Sequence, residues 1–339
     1  MVFYEFYDLD KIKMKAVVIK EFGGPEQLRL GEWDKPTPAK NEVLVKVHAS
    51  ALNRADTLQR KGVYPPPAGA SPILGLELAG EVVEVGSAIS RWQTGDQVFG
   101  LVQGGGYAEY AVIHEYMAMP LPQGFTFEQA VAIPEVFLTA FQALRWLARV
   151  QPNETVLVHA GASGVGTAAI QLAKAMGARV VVTASVGKHQ TCLDLGAELA
   201  IDYKTEDFQQ RTLDFTQGKG VDVVIDFIAA PYFHQNIEAL AVDGRMVILA
   251  LMGGTKVSEF NLAKMLRKRL SVMGSTLRAR SQDYQIKLTQ DLAEFAIPLI
   301  TQGKIAPVID SVFDWTEVAE AHRYMEANKN VGKIILKIS

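Results

Sequence analysis

A single cysteine, Cys192, stands in a chain of 339 residues. No disulfide can form within the chain, and no zinc site built on cysteines can be assembled. Charge of one sign is scarce as well: 34 Lys and Arg face 37 Asp and Glu, a net of −3. A nucleic-acid face needs a basic stripe, and the one basic cluster, Arg267-Lys-Arg269, reads as a solvated helix end. Nucleic acid is not expected as the primary partner. Long apolar runs are missing too, none approaching the roughly 18 residues that span a bilayer. The first residues, Met1-Val-Phe-Tyr-Glu-Phe-Tyr-Asp8, lack the basic start and apolar middle of a signal peptide. A cytoplasmic protein with no membrane partner is the expectation.

With 49% hydrophobic and 21% charged residues the chain can bury a large core, and its length suggests two domains. From Met14 to about residue 130 the text is strand-like, as in Lys15–Ile19, Glu42–Ser50, Leu78–Val85, Gln97–Leu101 and Ala108–Val112, punctuated by proline and glycine. From Val136 it changes to helices alternating with six apolar strands near 156–160, 180–183, 199–202, 223–227, 246–251 and 270–274, which is the count of a doubly wound parallel sheet. A helix near 285–300 and strands near 308–312 and 333–338 follow, and these should return to the first module. The fold class is α/β: a β-rich domain over 14–135 and 278–339, and a Rossmann domain over 136–277.

The segment that carries most chemistry runs from Thr155 to Gly177. Val156, Leu157 and Val158 form a buried strand, Gly161-Ala-Ser-Gly-Val-Gly166 turns the chain, and Val165, Ala169, Leu172, Ala173 and Met176 recur at helical spacing. The free N–H groups and dipole of that helix start would face a dinucleotide diphosphate with no side-chain charge required. The spacing is Gly-x-x-Gly-x-Gly rather than the commoner Gly-x-Gly-x-x-Gly, so strand, turn, helix and second strand in order carry the reading. A strand-to-helix turn with no ligand is the competing one.

An NAD site places an Asp or Glu at the end of the second strand, about 20 residues past the glycines. None stands here: the strand ends Val182-Thr-Ala-Ser-Val-Gly-Lys-His189, offering Ser185 and Lys188 where a carboxylate would repel a 2′-phosphate. NADPH is therefore the expected cofactor. Lys188 could instead be a solvated lysine, although a cation at a helix start is disfavoured without an anion. Tyr203, ending the third strand, could cover the phosphate or adenine edge, or be an ordinary strand-end tyrosine. His48 and His159 sit in apolar strand patterns and read as satisfied core or cleft-edge histidines rather than metal ligands.

Over Met14 to Ser339 the order of modules resembles the medium-chain dehydrogenase/reductase superfamily. Ala51-Leu-Asn-Arg-Ala-Asp56, Gly62-Val-Tyr-Pro65, Leu74-Gly-Leu-Glu77, Gly104-Gly-Gly-Tyr-Ala-Glu109 and His159-Ala-Gly-Ala-Ser-Gly-Val-Gly166 look like the zinc-independent quinone oxidoreductases. Leu251-Met-Gly-Gly254 and Tyr324-Met-Glu-Ala-Asn-Lys-Asn-Val-Gly-Lys333 look like the p53-inducible branch of that family. Residues 1–13 lie outside the resemblance. The zinc alcohol dehydrogenases carry a ligand cysteine where this chain has Asn53, and Gly-His-Glu where it has Gly75-Leu76-Glu77. No metal is expected, since two ligands and the four-cysteine lobe are missing.

The resemblance implies a GroES-like first domain, a homodimer, an active site in the interdomain cleft, and reduction of a quinone or enone. It also implies cofactor contacts from Thr139, from Gly161, Ala162, Ser163, Gly164, Val165 and Gly166, from Leu249, Ala250 and Leu251, from Ser275, Thr276 and Leu277, and from Asn330 and Lys333. Asn53 and Tyr64 are the expected catalytic residues on the substrate side. Asn53 could instead form an Asx-type turn before a helix at 54–60, and Tyr64 could be a loop residue with no catalytic part. Two rivals stand beside the quinone reductase. One is a reductase of activated alkenes with Tyr64 as proton donor, and the other is a non-enzymatic NADPH-binding sensor or structural protein.

Overall fold

A computed structural model describes residues 12–339. Residues 1–11, most of the segment set outside the resemblance, lie outside the described residues. The chain divides into two compact units, the first comprising the described residues up to Pro134 with Ser311–Lys329 and Ile334–Ser339, the second comprising Glu135–Asp310 and Asn330–Lys333.

In the first unit β1 (Lys13–Ile19) and β2 (Leu28–Asp34) form an antiparallel pair. Then come β3 (Glu42–Ala51), β4 (Glu77–Val85), β5 (Gln97–Leu101), β6 (Tyr110–His114) and β7 (Ala118–Pro120). Strand β3 is the spine, antiparallel to both β4 and β6. Its Val43, Leu44, Val45, Val47 and Ala49 are all buried, so it runs through the core and does not lie on a solvated face. Strands β2 and β7 were not legible beforehand: Leu-Arg-Leu-Gly-Glu-Trp-Asp is mostly polar, and Ala-Met-Pro is three residues long.

The second unit holds β8 (Thr155–Val158), β9 (Arg179–Ala184), β10 (Leu199–Asp202), β11 (Val221–Asp226), β12 (Leu240–Ile248) and β13 (Ser271–Gly274). They make one sheet in the order β10-β9-β8-β11-β12-β13, parallel throughout. This is the doubly wound order whose ligands bind beyond the carboxyl ends of the strands, where the winding reverses between β8 and β11. Strands buried on both faces read as continuous apolar runs, and Val156, Leu157, Val158, Val180, Val181, Val182, Val223, Val224 and Ile225 are all fully buried. Phe208, Ile237 and Leu240 close the core over Leu157 and Val181.

The helix expected at 285–300 spans Gln282–Thr301. The sequence placed it with the first module, but it belongs to the second unit. Tyr284 accepts from Gln142 Nε2 at 2.9 Å, Asp291 accepts from Trp146 Nε1 at 3.2 Å, and Phe295 packs on Phe141 with ring centroids 5.6 Å apart. Aromatic contacts with the stretch entering the Rossmann unit, unreadable from local pattern, decide its allegiance. Strand β14 (Ile309–Asp314) follows, and β15 (Lys333–Lys337) pairs antiparallel with β3 in the first unit's sheet, whose order is β14-β15-β3-β4-β5-β7.

By length and composition the stretch Phe127–Leu147 could cross a membrane, but its apolar 18-residue window is 72% buried inside the protein, as in a core helix. The basic cluster is a helix end as expected: the helix Leu262–Lys268 finishes at Arg269, which is ion-paired to Asp243 at 2.6 Å.

Candidate cofactor site

The turn after β8 is built by backbone geometry. Ala160 takes a left-handed conformation (φ 48°), Gly161 N–H donates to Thr183 O at 2.9 Å, and the helix Gly164–Ala175 begins with Ser163 as cap, its Oγ accepting from Gly166 N–H at 3.0 Å. The first N–H groups of a helix have no acceptor within it, so the cap supplies one and the rest form a ready anion site. A Cβ on Gly166 would lie 2.4 Å from Ala160 O and 2.6 Å from Gly161 O, so the strand and helix meet this closely only because that residue is glycine.

The segment 330–333 lies against this turn. Gly332 pairs with Ser163 as a parallel bridge and donates its N–H to Ala162 O at 2.9 Å, while Lys333 is buried with its N–H on Val308 O at 2.8 Å. Gly332 has φ +80°, and a Cβ there would meet Val308 O at 2.3 Å. Asn330 Nδ2 donates to Gly332 O at 2.8 Å, and the ammonium of Lys188 donates to Asn330 O at 2.7 Å. Thus Asn330, Lys333, Lys188 and the glycine turn, separated by up to 172 positions, are one constellation. Burial lowers the Lys188 ammonium from its usual range, opposed by the fields of Asp310 and Cys192.

Ser185 and Lys188 bracket the short turn after β9, and Lys188 N–H donates to Ser185 O at 2.8 Å. The register Asp202↔Ala184 sets Ser185 and Tyr203 side by side past the carboxyl edge. Tyr203 is 46% exposed, a surface position open to a ligand. Asp202, which ends β10 beside Tyr203, is turned into its own loop, accepting from Thr205 Oγ1 at 2.7 Å and Lys204 N–H at 3.2 Å. On the other side of β8, the register Ile248↔Gly274 aligns Leu249, Ala250 and Leu251 with Ser275, Thr276 and Leu277. Leu249 N–H donates to Asp226 O, Ser275 N–H to Ile248 O, and Ser275 Oγ bonds Gln142 Oε1 at 3.3 Å. Thr139 Oγ1 donates one turn back to Glu135 at 3.2 Å.

Asn53 and Tyr64 belong to the first unit. Asn53 precedes the helix Arg54–Arg60; its N–H donates to Asp56 at 2.7 Å and its Nδ2 to the buried Glu77 carboxylate at 2.8 Å. Asp56 also accepts from Gly75 N–H at 3.0 Å and Tyr107 Oη at 3.3 Å. Burial, then Asp56 and Glu77, push the Tyr107 hydroxyl well above its usual range, so it remains a donor. Asn53 thus stands at the N-cap of this helix, the position its turn-forming reading gives it. Tyr64 is partly buried in the turn that follows. Among the described residues no three His, Cys, Asp or Glu side chains gather as a metal-ligand set. His48 stacks on Phe127 with centroids 4.7 Å apart, and His159 is buried and hydrogen-bonded through both ring nitrogens.

Sequence reasoning missed the partners of His159. The acid ending the apolar strand Val221-Asp-Val-Val-Ile-Asp226 was the available signal.

Comparison with known proteins places both units. A family described as "Alcohol dehydrogenase GroES-like domain" matches residues 39–123, and one described as "Zinc-binding dehydrogenase" matches 164–294. The quinone oxidoreductase of Homo sapiens is 32% identical over 95% of this chain and 97% of its own length. The crystal structure of the CurK enoyl reductase superposes with a TM-score of 0.85 at 31% identity, covering 96% of this chain and 99% of that one. A mycobacterial protein whose structure is complexed with NADPH superposes with a TM-score of 0.86 at 29% identity, covering 96% and 100%.

Proposed function

The chain belongs to the medium-chain dehydrogenase/reductase superfamily and is an oxidoreductase, and on that premise we propose that it is a zinc-independent NADPH:quinone oxidoreductase, cytoplasmic and homodimeric. The observation that carries the cofactor reading is the constellation of Lys188, Asn330 and the glycine turn at the carboxyl edge of β8 and β9, with Asp202 turned into its own loop.

The residues fit a dinucleotide. The N–H groups at the start of Gly164–Ala175 would hold the diphosphate, Lys188 and Ser185 would hold the 2′-phosphate, and Tyr203 would cover the adenine edge. Backbone groups of Leu249–Leu251 and Ser275–Leu277 would orient the nicotinamide end. When bound, the reduced nicotinamide supplies a hydride equivalent to an electron-poor acceptor. A quinone carbonyl is already electrophilic and becomes an aromatic hydroquinone, so the protein contributes orientation and needs no Lewis acid. Asn53 serves by fixing the start of its helix and the loop that carries Tyr64.

Replacing Lys188 with Ala tests the phosphate assignment. A hydrogen bond to a charged group contributes about 1.5–3 kcal/mol, so NADPH affinity is expected to fall roughly 10- to 100-fold by fluorescence titration, with NADH changed less than threefold. Equal losses for both cofactors would place the phosphate elsewhere.

The likeness to an enoyl reductase supports a second reading, reduction of an activated alkene with Tyr64 donating the proton. Tyr64→Phe separates the two. Quinone turnover is expected to persist within about threefold, whereas loss of crotonyl-CoA turnover by ~100-fold or more, the size of a general-acid contribution, marks the alkene reductase.

A further inference from the structure

At the point where the sheet's winding reverses, four buried side chains form one hydrogen-bonded chain. Thr183 Oγ1 lies 3.0 Å from His159 Nδ1, His159 Nε2 lies 2.7 Å from Asn236 Oδ1, and Asn236 Nδ2 donates to Asp226 Oδ2 at 3.1 Å. Thr183, His159, Asn236 and Asp226 are each 1% exposed or less. Asp226 Oδ1 accepts from the N–H groups of Ile228 at 2.7 Å and Ala229 at 3.1 Å.

The polarity of this chain follows from one end. A carboxylate only accepts, so Asn236 must turn its NH2 to Asp226 and its oxygen to His159. That oxygen demands the proton of His159 on Nε2, leaving Nδ1 to accept from the Thr183 hydroxyl. Burial lowers the His159 pKa, in keeping with a neutral ring that donates at one nitrogen and accepts at the other.

Both ends of the chain grip strained backbone. Thr183 O accepts from Gly161 N–H at 2.9 Å, and His159, whose N–H donates to Ile225 O at 3.0 Å, precedes Ala160 at φ 48°. At the far end, Ala229, which Asp226 holds, has φ 67°. A residue with a Cβ takes such a conformation at a cost of order 1–3 kcal/mol, and it persists only where its surroundings over-determine it. Two alanines in this state, one opening the glycine turn and one in the turn after β11, are tied to the same four side chains. The His159 ring also packs edge-on against Phe208 and Tyr232, but packing gives no reason for a buried His, Asn and Asp in this largely apolar core, and a paired polar cluster of this kind adds little net stability.

We propose that Thr183, His159, Asn236 and Asp226 are positioning residues for the cofactor's diphosphate: they lock the glycine turn into its anion-binding conformation before the dinucleotide arrives. This rests on the dinucleotide reading of that turn. Because the turn meets the diphosphate, which NADPH and NADH share, loosening it weakens both cofactors by the same factor. That separates these residues from Lys188, whose loss is specific to NADPH.

The experiment is Asn236→Leu in the full-length protein, which keeps the branched shape and removes both bonds that Asn236 makes in the chain, with Kd for NADPH and for NADH read by fluorescence titration. Both are expected to rise about tenfold in parallel, with kcat at saturating NADPH within twofold of the parent. A folded variant, shown by its circular dichroism, that binds both cofactors within twofold of the parent overturns the proposal, as does one that loses kcat and keeps affinity. Should Asn236→Leu fail to fold, Thr183→Val removes only the terminal hydroxyl, and an expected parallel rise of about threefold replaces the tenfold one; no rise overturns the proposal. Parent protein that binds neither cofactor would overturn the dinucleotide reading itself, a different outcome from parent binding with indifferent variants.

Discussion

Gly166→Ala is expected to abolish cofactor binding while leaving the protein folded. The added methyl would stand 2.4 Å and 2.6 Å from two backbone oxygens, Ala160 O and Gly161 O, and neither can swing aside as a side chain could. The turn and the helix start must part, and the N–H groups that meet the diphosphate lose their common focus. A rise in Kd for NADPH of at least about 100-fold corresponds to ~2.7 kcal/mol at 1.36 kcal/mol per decade. Ser163→Ala removes only the cap bond to Gly166, a loss of about 1 kcal/mol, and so sets the scale of an ordinary helix-end defect. Fluorescence titration of both variants checks the difference. Gly166→Ala binding NADPH within threefold of the parent would mean that this turn does not hold the diphosphate.

Arg60→Leu is expected to produce the largest loss of stability of any single polar-to-apolar exchange in the first unit's polar network, because this guanidinium is fully buried. It donates to Gly23 O at 3.0 Å and to Glu326 at 2.7 Å, and it meets His322 Nδ1 at 3.0 Å. Removing one partner of a buried pair costs about 3–5 kcal/mol. Glu326 is 23% exposed at its side chain and keeps Lys61 at 2.7 Å, so ~2–4 kcal/mol is the fitting range. At roughly 2–4 °C per kcal/mol for a unit of this size, the melting temperature should drop by about 5–15 °C in a thermal scan. A drop under 2 °C would contradict the account. The same contacts make the unit acid-sensitive. Burial and then Arg60 push His322 down from 6.5 to about 3, so its stabilising contribution is complete above 6.5 and is lost as pH falls from there toward 3.

The parts of this molecule legible in sequence were those written contiguously. Strand β8, the glycine turn and the helix Gly164–Ala175 lie within 21 consecutive residues, and periodicity reported all three. Lys188 and Ser185 were proposed from what stands in place of an expected acid. The closeness of Asn330 and Lys333 to the turn came only from the family resemblance, since no local rule joins Ser163 to Gly332 across the chain. The helix Gln282–Thr301 was found but assigned to the wrong unit, because Tyr284, Asp291 and Phe295 choose their partners in three dimensions. His159 was read as a satisfied core histidine, and it is one. Its role in a chain reaching Thr183, Asn236 and Asp226 was hidden, since those four residues come from three strand ends and one helix.

The measurement that bears most directly on the central claim is NADPH oxidation by the purified protein, beside NADH, against 1,4-benzoquinone, 9,10-phenanthrenequinone, crotonyl-CoA and a simple enone, with and without a zinc chelator. The account predicts quinone turnover with a clear preference for NADPH over NADH and no change on chelation. Turnover confined to crotonyl-CoA or the enone, a preference for NADH, loss of rate with the chelator, or tight NADPH binding with no acceptor reduced would contradict it.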